Sequence, residues 1–161
     1  MTDGLTQIPN YRYLRMALDQ ELARATRHEQ VFSVVMVDVD NLKQYNHVHG
    51  HLVGSELLRN LAQLLRRDTR ATDIVTRYGG DEFLLLLPKT DVYGSVTLCE
   101  RLRDRVAEEL RGRNGEVVTA SFGIAGFPAD GRSFESLVSA ADEALRQAKG
   151  DGRNLVVCLG A

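Results

Sequence analysis

Ile74-Val75-Thr76-Arg77-Tyr78-Gly79-Gly80-Asp81-Glu82-Phe83-Leu84-Leu85-Leu86-Leu87 is the stretch on which the fold turns. A β-branched run leads into paired glycines, then two carboxylates, then five apolar residues. The pattern predicts strand, tight turn, strand, because paired glycines tolerate the positive φ values that a two-residue hairpin turn demands. The second arm is apolar on both faces, so it is buried. Asp81 and Glu82 then sit at the mouth of a rigid hairpin, an unusual place for two adjacent charges. Metal binding or acid–base chemistry explains them; a solvated acidic turn is the ordinary alternative.

Upstream, Val31 to Val39 (VFSVVMVDV) is nearly continuous in apolar character and reads as a central strand. It ends in Asp38-Val39-Asp40, and the ends of buried strands are where sheet proteins commonly hold ligands. Leu14, Leu18, Leu22 and Ala25 recur at helical spacing between Tyr11 and about His28. Residues 41–50 read as a short polar helix or turn closed by Gly50. A helix follows from about Gly54 to Arg67, with Leu57, Leu58, Leu61, Leu64 and Leu65 inward. Asp91 and Ser133 are placed to cap two further helices. Glu116 to Ala125 and Leu155 to Leu159 read as strands. The order α, β, α, β, β, α, β, α, β contains a β-α-β-β-α-β core. That is an α/β (α+β) arrangement of ferredoxin-like or polymerase-palm type, a mainly antiparallel sheet flanked by helices. In it Asp38 and Glu82 can converge.

A chain of 161 residues fits one domain, 43% hydrophobic and 26% charged, as in ordinary soluble proteins. A net charge of −2 argues against a general nucleic-acid surface. No window is suited to cross a membrane, and no signal peptide is visible. Cys99 and Cys158 read as small core residues of a reducing compartment. His47, His49 and His51 alternate without the cysteines or carboxylates of a zinc site.

Six segments, in order, resemble the GGDEF domain of the diguanylate cyclase family. Gly79-Gly80-Asp81-Glu82-Phe83 is its signature. Asp3-Gly4-Leu5-Thr6 with Pro9-Asn10 is similar to its opening DxLTxLxN. Asp38-Val39-Asp40-Asn41-Leu42-Lys43 with Asn46 is similar to its DxDxFKxxND, and Gly50-His51 with Gly54 to its GHxxG. Thr119-Ala120-Ser121-Phe122-Gly123 and the span from Ala141-Asp142 to Gly152-Arg153-Asn154 complete the set. The resemblance implies attack of a ribose 3′-hydroxyl on the α-phosphate of a second nucleoside triphosphate, with two Mg²⁺ (or Mn²⁺) ions per active site.

By that resemblance, Asp38 and Glu82 are side-chain metal ligands and the Val39 carbonyl a backbone ligand. Asp81 is the candidate to accept the hydroxyl proton. Gly80 leaves room for substrate. The amides of Asn41, Leu42 and Lys43, with Lys43, Lys149 and Arg153, hold phosphates. Asn46 reads the base. The family's aspartate after the GHxxG glycine is Ser55 here. A carboxylate only accepts, matching the guanine donors, whereas a hydroxyl gives or takes. Serine at this position is a feature of the hybrid promiscuous subgroup, which makes cyclic GMP-AMP from ATP and GTP, so both nucleotides are expected substrates. A helix cap is the alternative role for Ser55. Leu42, His47 and Arg146 also depart from the family's usual phenylalanine, aspartate and tyrosine.

Arg70-Ala71-Thr72-Asp73 resembles the RxxD site, where cyclic dinucleotide product inhibits. The resemblance further implies a cytoplasmic, bacterial signalling enzyme that works as a homodimer, with residues 1–161 a single catalytic domain excised from a longer protein. A catalytically weak receptor for GTP or cyclic dinucleotide is the rival.

Overall fold

A computed structural model describes residues 1–159. Helix α1 (Tyr11–His28) precedes strand β1 (Phe32–Val39). Two helices follow, α2 (Leu42–His49) and α3 (His51–Arg67). Strands β2 (Ile74–Arg77) and β3 (Glu82–Pro88) form the hairpin. Helix α4 (Val92–Glu109), strand β4 (Ala120–Phe127), helix α5 (Phe134–Gly150) and strand β5 (Val156–Cys158) complete the chain. The sheet order is β2-β3-β1-β4-β5. β1 is antiparallel to both β3 and β4, and β5 alone is parallel to its neighbour. This is the expected palm-like α/β fold, with β1 at its centre.

Side chains alternate across the sheet, which splits the core. Val35, Val37, Leu85, Leu87 and Phe122 pack with Leu57, Leu58, Leu61 and Leu65 of α3 and Leu102 and Val106 of α4. Val34, Met36, Leu84 and Leu86 pack with Leu14 and Leu18 of α1 and Leu137, Val138 and Leu145 of α5. Each such side chain contributes roughly 1.5–3 kcal/mol when fully buried. Two layers of helices therefore cover the sheet, as the apolar runs of β1 and β3 require. Gly123 lets α5 lie directly on β4: a Cβ there would meet the Ala141 carbonyl at 2.2 Å and the Leu145 amide at 2.3 Å. That close approach carries the C-terminal end of α5, and Lys149 with it, to the end of β1.

Three local expectations are corrected. The hairpin loop has four residues, Tyr78 to Asp81, and neither Gly79 nor Gly80 has positive φ. The Tyr78 and Gly79 amides both donate to the Glu82 carbonyl, at 2.9 and 3.2 Å, so the longer loop needs no left-handed residue. Residues 116–119 do not extend β4. Val117 bridges Arg111 in a separate small loop, because β1 supplies pairing partners only as far as Val39, opposite Ala120. Helix α3 starts at His51, not near Gly54. Gly50, at φ 89°, ends α2 and opens α3 with no side-chain cap, a conformation that favours glycine.

Asp91 and Ser133 do cap α4 and α5, accepting from the Gly94 and Ser136 amides. Cys99 is buried, and burial pushes its thiol strongly up.

Candidate active site

The carboxylates meet because of strand register. Asp38, near the end of β1, lies directly opposite Glu82, the first residue of β3. Directly opposed residues place their Cβ atoms within about 5.5 Å. From α5, the Lys149 ammonium donates to Asp38 Oδ2. Burial raises the Asp38 pKa above the usual carboxylate range; Lys149 opposes this, and Asp81 and Asp40 add to it. Glu82 is raised by burial first, then by Asp38 and Asp142, again against Lys149. Asp81 is exposed on the loop. The pair is thus short of positive charge, and one lysine only partly offsets it.

Among the described residues no three His, Cys, Asp or Glu side chains gather into a metal cluster. The expected ligand set does not need one. It consists of two carboxylates and the Val39 carbonyl, hard oxygens that suit a small divalent cation finishing its shell with phosphate and water. The repelling pair at the end of β1 fits such a cation.

Other expected residues fall around this pair. A Cβ built on Gly80 meets nothing within 4 Å, so the loop backbone is open there. Asn41, in a left-handed conformation at φ 60°, precedes α2 and makes no side-chain cap hydrogen bond to it. Leu42 is buried and Lys43 exposed. Arg153 is exposed, also left-handed at φ 65°, in the turn after α5.

Asn46 on α2 lies across Gly54 on α3: a Cβ at Gly54 would fall 1.6 Å from Asn46 Oδ1. That oxygen is buried without a donor, an unmet acceptor at the position expected to read the base. Ser55 follows on α3, half-buried, with no hydrogen bond from its side chain among the described residues. It lies well inside the helix, which removes the capping role.

Arg70 and Asp73 form a turn in which Asp73 Oδ2 accepts from the Arg70 amide at 2.9 Å and its Nε at 3.5 Å. The Arg70 guanidinium reaches Thr90. Asp73 Oδ1 is buried and unpartnered. Cavities of about 430 and 420 Å³ both border this turn. The site lies apart from the carboxylate pair, at the far end of β2.

Three residues gain roles that sequence reading missed. Arg77 donates to the Gly80 carbonyl at 2.6 Å and pairs with Asp3 at 3.2 Å, bracing the acidic loop. Asp40 is buried among donors. Gly54 is the seat for Asn46. Only side-chain packing reveals them, since contacts such as Arg77–Asp3 join residues distant in sequence.

Residues 1–155 match the family model for the diguanylate cyclase GGDEF domain. The chain belongs to the GGDEF family. It is 37% identical to the response regulator PleD of Caulobacter vibrioides over 98% of this chain and 36% of that protein. It is 38% identical to the diguanylate cyclase DosC of Escherichia coli over 96% of this chain and 34% of that protein. The chain thus spans about a third of the length of these curated relatives. Among solved structures, the GGDEF domain of DgcB from Caulobacter crescentus, in complex with c-di-GMP, superposes with a TM-score of 0.90 at 30% identity. That match covers 99% of this chain and 93% of the other. The active GGEEF domain of a Vibrio cholerae diguanylate cyclase gives the same score and identity over 96% of this chain. GGDEF cyclases depend on divalent metal, in keeping with the carboxylate pair described above.

Proposed function

We propose that this GGDEF domain is a dinucleotide cyclase. Two nucleoside triphosphates, GTP with GTP and GTP with ATP, become a cyclic 3′,5′-dinucleotide and two pyrophosphates. The observation that supports it most is the Asp38–Glu82 register pair beside the loop bearing Asp81.

Each 3′-oxygen bonds to the α-phosphorus of the other nucleotide as the bond to pyrophosphate breaks. Asp81 takes the hydroxyl proton. Asp38, Glu82 and the Val39 carbonyl would hold two Mg²⁺ or Mn²⁺ ions, which when bound would supply charge neutralisation at the entering and leaving oxygens. The amides of Asn41, Leu42 and Lys43, with Lys43, Lys149 and Arg153, hold the triphosphate; Gly80 leaves the space it occupies. Asn46 faces the base, and Ser55 admits adenine as well as guanine because its hydroxyl accepts and donates. Neither bond forms unless two chains present their nucleotides to each other, so the working species is a homodimer, at least transiently. Arg70 and Asp73 bind the product and limit its accumulation.

Incubation with Mg²⁺ and GTP, ATP or both, followed by product separation, tests this. Cyclic di-GMP from GTP and cyclic GMP-AMP from the mixture are expected. Cyclic di-GMP alone under excess ATP refutes the role of Ser55. No cyclic dinucleotide at high protein concentration refutes the cyclase reading; product binding that then depends on Arg70 identifies a receptor.

A further inference from the structure

Asp40 is 8% exposed, yet no basic side chain pairs with it among the described residues. Its Oδ1 accepts from Ser121 Oγ at 2.7 Å. Its Oδ2 accepts from Thr119 Oγ1 at 2.7 Å and from the Asn154 amide at 2.9 Å. The same amide approaches Ser121 Oγ at 3.1 Å. The Asp40 amide donates to the Thr119 carbonyl at 2.9 Å. A buried carboxylate met only by neutral donors is costly to keep unless its placement matters. Both oxygens are taken, so this carboxylate is turned toward the protein and not toward substrate.

Its donors come from two segments, and Asp40 itself stands on a third. Thr119 and Ser121 mark the start of β4, and Asn154 follows Arg153. Asp40 itself joins Val39 to Asn41. Asn41, Arg153 and Asn154 are all left-handed non-glycine residues, at φ 60°, 65° and 52°. Such conformations are uncommon outside glycine, and for Arg153, unlike the asparagines, they carry a cost that surrounding contacts must offset. Asp40 contacts the Asn154 amide directly and adjoins Asn41 in the chain. Arg103 of α4 adds a second hold, donating to Asn154 Oδ1 at 3.2 Å.

We propose that Asp40 is a positioning residue for triphosphate binding: its carboxylate locks the Arg153–Asn154 turn against the Asn41–Lys43 helix start, so that both address one set of phosphates. This rests on the cyclase reading given above. Asp40 acts through Arg153 and the amides, without touching metal or nucleotide.

Asp40→Asn keeps the shape but leaves one accepting oxygen where two serve three donors. The dissociation constant of a non-hydrolysable GTP analogue, measured calorimetrically, is expected to rise about tenfold, as is KM. kcat should stay within about threefold, and the Mg²⁺ midpoint for analogue binding within about twofold. A thermodynamic cycle separates positioning from general damage. Arg153→Met should weaken the analogue, and Asp40→Asn should add little on top of it. Additive losses, or an affinity unchanged in folded Asp40→Asn, overturn the proposal. A displaced Mg²⁺ midpoint overturns it too, since Asp40 would then be a ligand. Should Asp40→Asn fail to fold, Ser121→Ala removes one donor; a loss of about threefold, non-additive with Arg153→Met, is expected, and no loss overturns the proposal. If the unmodified protein does not bind the analogue, the cyclase reading falls with it; if it binds and the cycle is additive, only the positioning role falls.

Discussion

Replacing Gly54 by alanine tests the base site without substituting any residue proposed to contact the nucleotide. A Cβ at Gly54 would lie 1.6 Å from Asn46 Oδ1, 2.7 Å from its Cγ and 3.2 Å from its Nδ2. Contact at about 3.5 Å or more requires the amide oxygen to retreat by about 2 Å, which no hydrogen bond survives. The amide then leaves the position proposed for reading guanine. One lost base contact, leaving a buried group unpaired, costs about 1–3 kcal/mol, or roughly 5- to 150-fold in kcat/KM for GTP. Alanine in a helix interior otherwise gains up to about 1 kcal/mol over glycine, so thermal stability should change little. The assay is pyrophosphate release with GTP, beside melting temperature. In an Asn46→Ala background the substitution should cost almost nothing more, because its target is gone. Unchanged kcat/KM for GTP in a folded Gly54→Ala protein refutes the placement of Asn46 as base reader.

Glu82→Gln should lower turnover by more than about a hundredfold while raising the melting temperature of metal-free protein. Glu82 has a folded pKa raised above its ordinary value, so its ionisation opposes folding. The metal-free fold therefore loses stability as pH rises through the carboxylate range, and the Gln variant loses less; equal pH dependence of the two melting curves contradicts this. Ser55→Asp should shift competition between GTP and ATP toward cyclic di-GMP by about 5- to 150-fold; an unaltered product ratio places selectivity elsewhere. Arg77→Met frees the Gly80 carbonyl and unpairs Asp3, and should reduce kcat by about tenfold or more with KM nearly kept. A change confined to KM assigns Arg77 to nucleotide binding instead.

The elements were legible where burial enforces a period. β1 and β3 read correctly because both faces are covered, and α1, α4 and α5 because each shows one apolar stripe or a clear cap. Boundaries failed where the signal was tertiary. The Glu116–Thr119 run has strand-like residues, but nothing in the sequence says that Val39, where β1 stops, pairs with Ala120. The start of α3 was displaced because His51, Leu52 and Val53 carry no inward pattern, and Gly50 serves two helices at once. Glycine pairs suggested a two-residue turn, yet the hairpin closes on the Glu82 carbonyl through a longer loop. At the site, the pairing of Asp38 with Glu82 followed from topology alone. The brace of Arg77 and the enclosure of Asp40 did not, since each joins segments far apart in the chain.

Two kinds of rigidity meet at the end of β1. The carboxylates stand on adjacent hydrogen-bonded strands, so their separation is fixed by the ladder and varies little with surface sequence. Asn46 and Ser55 stand on α2 and α3, joined by Gly50 and packed to each other through Gly54. That corner can exchange a base-reading group without disturbing Asp38 or Glu82, because no backbone hydrogen bond of the ladder passes through it. On the roles proposed for these residues, chemistry and base choice are therefore separable. A substitution in the helical corner should change which nucleotide enters, and a substitution in the ladder should stop the reaction with either one.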